Sequence, residues 1–215
     1  RQRADGGRVV RRVVAALGVA CALLGVLRAV PARAESSFVP IPEIILDPNE
    51  GNTYGLMGVF LFLNEQEEIQ YMVAPDVRYN ETKGVYPTFR IFGYPTTTRR
   101  YKLAVGKSTT KDQEYEAEYL DRGLFDGKGQ IYLHADYDED STERFYGFGN
   151  NSQEFNESNY TAEDFISEVI PGWWVAQHLM LSYRMQVRRF ALTQGQVSGV
   201  PFIDARAQAC DFSCD

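Results

Sequence analysis

What most constrains this chain is a two-residue rhythm. From Thr53 onward, apolar and polar residues alternate in segments that recur about every 12 to 16 residues. A side-chain period of two is the mark of a β-strand with unlike faces. The reading places strands at 53–63, 69–79, 84–94, 99–107, 112–123, 129–139, 162–170 and 174–189. Turn-forming residues separate them, at Asn64-Glu65, Asn80-Glu81, Pro95-Thr96, Gly106-Lys107-Ser108 and Asp126-Gly127. No stretch longer than a turn or two has a clear helical period. Evenly spaced strands with short connections specify an all-β sandwich or barrel.

The two faces differ in chemistry. Glu114, Glu116 and Glu118 alternate with Tyr115, Ala117 and Tyr119. His134, Asp136 and Asp138 alternate with Leu133, Ala135 and Tyr137. Further on, His178, Ser182, Arg184 and Gln186 alternate with Leu179, Leu181, Tyr183, Met185 and Val187. Two architectures satisfy this pattern. In a soluble sandwich the apolar face is the core. In a membrane barrel it meets lipid, and the charged face lines a lumen. Sandwich strands average about five or six residues, whereas membrane strands need about 9–11. Most segments here fall in the longer class. The leading expectation is therefore an antiparallel transmembrane β-barrel with about eight strands visible. The alternative is a secreted soluble β-sandwich, acting as a binding module.

The first segment reads as an address. Arg8, Arg11 and Arg12 precede an apolar run from Val13 to Leu27, and Ala32-Arg33-Ala34 offers a small-x-small cleavage pattern. That order describes a secretory signal peptide over 1–34. The whole chain has a net charge of −7; removing seven Arg and one Asp with the signal leaves −13. So acidic a chain is a poor ligand for nucleic-acid phosphates. Residues 35–52, with Pro40, Pro42 and Pro48, read as an extended leader, 53–190 as the barrel strands, and 191–215 as an irregular tail foreign to the barrel.

The stretch Glu143-Arg144-Phe145-Tyr146-Gly147-Phe148-Gly149-Asn150, followed by Glu157-Ser158-Asn159-Tyr160, carries a resemblance. With the opening Pro42 to Gly58, it resembles the barrel of the BamA/TamA-like family, the bacterial surface antigen family. The likeness spans about residues 40–190, the first half of a family barrel. It implies an outer-membrane location and a role in the assembly, insertion or export of outer-membrane material. Arg144 to Asn150 would be the family motif, with Gly147 and Gly149 allowing a kink or bulge in a wall strand. The chain departs from the family in showing no room for domains ahead of the barrel and no later Val-Arg-Gly-aromatic motif.

In a barrel, Glu114, Glu116, Glu118, His134, Asp136 and Arg184 would face the lumen. No enzyme, cofactor or metal motif emerges. His134 and His178 are the two histidines, and they are better read as polar-face residues than as a catalytic pair. Asp136, Asp138, Glu139, Asp140 and Glu143 supply oxygens but lack the order and glycine of a calcium loop. Cys210 and Cys214 lack the second pair that zinc would need. The expected partners are outer-membrane lipid and other envelope proteins. One conflict stands. With Thr53 starting at the periplasm, the long connection 140–161 falls on the periplasmic side, whereas long loops belong outside. Either a strand is uncounted, or Arg144–Asn150 belongs to one.

Overall fold

A computed structural model describes residues 36–47, 50–147 and 154–204. The expected signal segment, Cys21, Phe148, Gly149, Asn150, Cys210 and Cys214 lie outside them.

The chain is all-β. Strands β1 (Ser36–Asp47), β2 (Gly51–Leu63), β3 (Ile69–Asn80), β4 (Gly84–Thr96), β5 (Arg99–Lys107), β6 (Gln113–Gly123), β7 (Gly129–Phe145) and β8 (Ser158–Ala176) follow as a meander. The return from β8 is split into β9 (Leu179–Ser182) and β10 (Met185–Gln194), which both pair with β8. Every pairing of these strands is antiparallel, and the sheet order is β1 to β8 and then β10. The edges β1 and β10 do not pair with each other, so the sheet is open.

Local chemistry explains the ends. Gly51 and Gly84 sit at positive φ (85° and 70°) where hairpin turns meet their second strands. Asn80 builds the β3–β4 turn: its Oδ1 accepts from Thr82 N at 2.7 Å and Lys83 N at 3.1 Å. The split between β9 and β10 has a covalent cause. Tyr183 N donates to Pro171 O at 3.0 Å. An antiparallel residue sends its N–H and C=O to the same side, so Pro171 has no donor to give that neighbour, and the ladder breaks at Tyr183-Arg184.

The segment expected as an extended leader is extended, and it also pairs with β2 over twelve residues as β1. This adds an uncounted strand. In addition, Arg144 and Phe145 belong to β7. The uncounted strand that the long connection called for is therefore present. β1 runs from one end of the sheet (end B) to the other (end A), and connection 146–157 lies at end A, opposite the end where β1 starts. The expected strand at 174–189 is corrected: β8 continues through Pro171 to Ala176, and Gln177 and His178 form the turn.

The sheet is strongly curled. Strands lie about 4.8 Å apart, so β2 and β7 would stand about 24 Å apart in a flat sheet. Yet Thr142 of β7 and Glu50, in the β1–β2 turn, are hydrogen-bonded at 3.0 Å. Such a contact forms only on the concave side.

Candidate functional site

The feature with functional content is the inverted distribution of polarity. Among the described residues, three apolar side chains are buried, Ala74, Ala104 and Leu120, against thirteen polar or charged ones. Asp76 and Val77 show the rule in one step of β3: Asp76 is 3 % exposed and Val77 54 %. A soluble sheet has the reverse arrangement.

The concave face is ionic from β3 onward. Asp76 pairs with Arg78 at 3.3 Å and with Arg90, and Arg90 also reaches Glu114 at 3.7 Å. Lys102 pairs with Glu116, and Arg100 with Glu118 at 3.2 Å. Arg188 meets Asp164 at 2.6 Å, and Arg184, in the break between β9 and β10, meets Glu168 at 3.0 Å. His134 lies 3.8 Å from Glu116. Register places Glu114 opposite Asp138, Glu116 opposite Asp136 and Glu118 opposite His134. The expected lumen residues Glu114, Glu116, Glu118, His134 and Asp136 thus share this face, and Arg184 reaches it through Glu168. Apolar residues share the inward phase as well, Ile41, Met57, Val59 and Leu61 on β1 and β2, and Met72, Phe92, Leu120 and Ile166 between the charged residues of the later strands.

The convex face is built in cross-strand rows. The middle row reads Leu103–Ala117–Ala135–Ser167–Val187. One row toward end A reads Val105–Tyr115–Tyr137–Phe165, and one row toward end B reads Tyr101–Tyr119–Leu133–Val169. Polar residues follow on both sides, Lys107–Gln113–Glu139–Glu163 toward end A and the Arg99–Asp121 pair toward end B. The tyrosine hydroxyls point out of the apolar zone. Tyr115 donates to Gln113 (3.2 Å) and Tyr137 to Glu139 (3.3 Å), both toward end A. Tyr119 donates to Asp121 (3.4 Å) toward end B. Aromatic bodies in an apolar band with polar tips turned to its rims suit a membrane interface.

At end A the turns converge inside the curl. Lys83 Nζ lies 2.8 Å from Glu50 Oε1, 2.9 Å from Asp140 Oδ2 and 3.9 Å from Asp112 Oδ1. Burial works against the charge of Lys83, but Glu50 and Asp140 outweigh it and hold its pKa above the ordinary 10.5. Ser141 N and Oγ donate to Asp112 (2.9 and 3.1 Å). No motif in the sequence flags Lys83; only the long-range contact reveals it.

The other expected residues separate. His178 is in the β8–β9 turn, away from the strand that carries His134. The acidic run 136–143 is dealt to both faces, with Glu139 on the outer polar row and Asp140 held by Lys83. Arg144 pairs with Glu157, Ser158 Oγ donates to Phe145 O at 3.1 Å, and Gly147 turns the chain at φ 111°. The register irregularity in β7 falls between Asp140 and Glu143, before Gly147, and Gly149 lies outside the described residues. The residues after β10 are tied down. Asn159 Nδ2 donates to Val197 O (3.1 Å) and Val200 O (2.7 Å), and Asn159 N to Pro201 O (2.9 Å).

No known protein family, curated protein or solved structure matches the chain.

Proposed function

We propose that this chain forms the wall of a β-barrel in the bacterial outer membrane, with its convex face in lipid and its ionic concave face toward a lumen. The carrying observation is the inversion of polarity around a curled sheet. Arg99 and Lys107, which bracket the apolar rows on β5, are eight residues apart, about 27 Å along a strand. At a tilt of about 40° this covers roughly 20 Å of depth, near the ~25 Å apolar band of such barrels. Apart from the four-residue β9, the strands run from 9 residues in β5 to 19 in β8, enough to cross a bilayer when tilted. A sandwich would need a second sheet over the apolar face, and the described residues form one sheet. With the start of β1 on the periplasmic side, connection 146–157 would lie outside the cell, where long loops are usual. A part in assembling or exporting outer-membrane material would rest on the resemblance alone, carried by Pro42–Gly58, Arg144–Asn150 and Glu157–Tyr160.

The test is gel mobility of the full chain recovered from an outer-membrane fraction, with and without boiling in SDS. A membrane barrel resists SDS when cold and shifts on heating. A chain that stays in solution without detergent and shows no shift sinks this reading and leaves the secreted module.

A further inference from the structure

The polar contacts at end A do more than fold a turn. Lys83 belongs to the β3–β4 turn, and its three carboxylate neighbours come from three other places: the β1–β2 turn (Glu50), the β5–β6 turn (Asp112) and β7 (Asp140). Thr142 Oγ1 bonds both Glu50 (3.0 Å) and Asp140 (2.8 Å), joining two of the acceptors. The whole set lies on the concave side, because only there do the β1–β2 turn and β7 meet. The Lys83 side chain therefore spans the mouth of the curl.

Its own turn does not need that side chain. Asn80 caps the turn through backbone amides and reaches Glu50 O and Thr53 Oγ1, each at 3.0 Å. Thr110 Oγ1 holds Lys83 O at 3.0 Å. The ammonium group is thus an addition to a turn already built, and its contacts all lead across the opening.

We propose that Lys83 is an electrostatic latch that narrows the lumen at end A, so that removing its charge widens the passage. The inference rests on the barrel reading above. Its chemistry is that of a gate made from one half-buried cation and a set of carboxylates held on separate elements. Loss of the cation leaves Glu50, Asp112 and Asp140 facing one another, and like charges in a poorly solvated space repel. The β1–β2 and β5–β6 turns would then move apart.

The experiment is single-channel conductance of the full chain in planar bilayers bathed in potassium chloride, for the parent, Lys83→Met and Lys107→Met. Lys107 stands on the outer polar row and serves as a control for charge alone. The expected result is a rise in unit conductance of roughly twofold or more for Lys83→Met, with Lys107→Met at the parental value. Equal conductance in parent and Lys83→Met, or no conductance in either while both keep the heat-dependent gel shift, overturns the latch. So does a rise in Lys107→Met that matches Lys83→Met. If Lys83→Met fails to fold, Glu50→Gln takes its place, with parental conductance again the overturning result. A parent chain without the gel shift overturns the barrel reading instead, and the two failures are told apart on the same sample.

Discussion

Thr142 donates a hydrogen bond to Glu50 at 3.0 Å, across ninety-two residues of sequence. The two residues belong to parts of the sheet separated by five strand spacings. Their contact means that the sheet is curled tightly enough for side chains to meet across its hollow. The concave face thereby becomes the interior, and that face holds the charges. The curl and the inverted polarity are one fact seen twice: a sheet that turns its ionic face inward has to show its apolar face outward.

The outward face is expected to be intolerant of charge. Ala117 is exposed on β6, in the middle apolar row between Tyr115 and Tyr119. In a bilayer, Ala117→Arg should cost about 2–4 kcal/mol, the penalty for a cation near the midplane. On a water-facing sheet an exposed substitution of this kind usually stays within about 0.5 kcal/mol. Urea unfolding of both proteins in lipid vesicles measures the difference.

The two tryptophans should report opposite environments. Trp173 packs against Phe125 with ring centroids 5.1 Å apart and pairs with Leu181, whereas its neighbour Trp174 takes the other face. With Trp174→Phe, fluorescence of the remaining Trp173 should be quenched by brominated acyl chains. With Trp173→Phe, the remaining Trp174 should respond instead to aqueous iodide. Equal quenching of both by iodide would place the whole hairpin in water.

The segment after β10 should behave as part of the fold. Asn159 is fully buried and holds Val197 and Val200 through its side chain. Asn159→Ala leaves those carbonyls without their donor, a loss of about 1–3 kcal/mol. The measurable consequence is faster chymotrypsin cleavage at Phe202, with the β-strand circular dichroism retained.

Lys83 should tie stability to alkaline pH. Its folded-state pKa lies above the ordinary 10.5 because Glu50 and Asp140 outweigh the effect of burial. A raised pKa means that its stabilisation is complete below about 10.5 and fades as pH climbs through the folded value. The stability difference between the parent and Lys83→Met should be constant from neutral pH up to that point and shrink beyond it. Tyrosine ionisation is common to both proteins and cancels in the difference. A difference that grows with pH contradicts the assignment.

Much of the strand map was legible because side-chain alternation is imposed by the backbone of each strand, whatever it pairs with. The β5 range 99–107 was readable to the residue, and the starts of β3, β4 and β7 coincide with their expected positions. Pro40 and Pro42 suggested a leader, but an edge strand has one partner and tolerates prolines whose missing donor faces away from it. The expected strands left a gap at 171–173, but β8 runs through it because β7 supports it from the other side.

The sequence by itself determined that the chain would be built of strands with one charged face and one apolar face, since that segregation follows from a period of two. Which face is inside is a different kind of fact. The same alternation serves a sandwich core or a lipid wall, and nothing in a single strand distinguishes them. The tertiary structure decided it through the direction of the curl, set by contacts such as Glu50 with Thr142 and Lys83 with Asp140. Those contacts join residues far apart in the chain, and no local pattern encodes the distance between them.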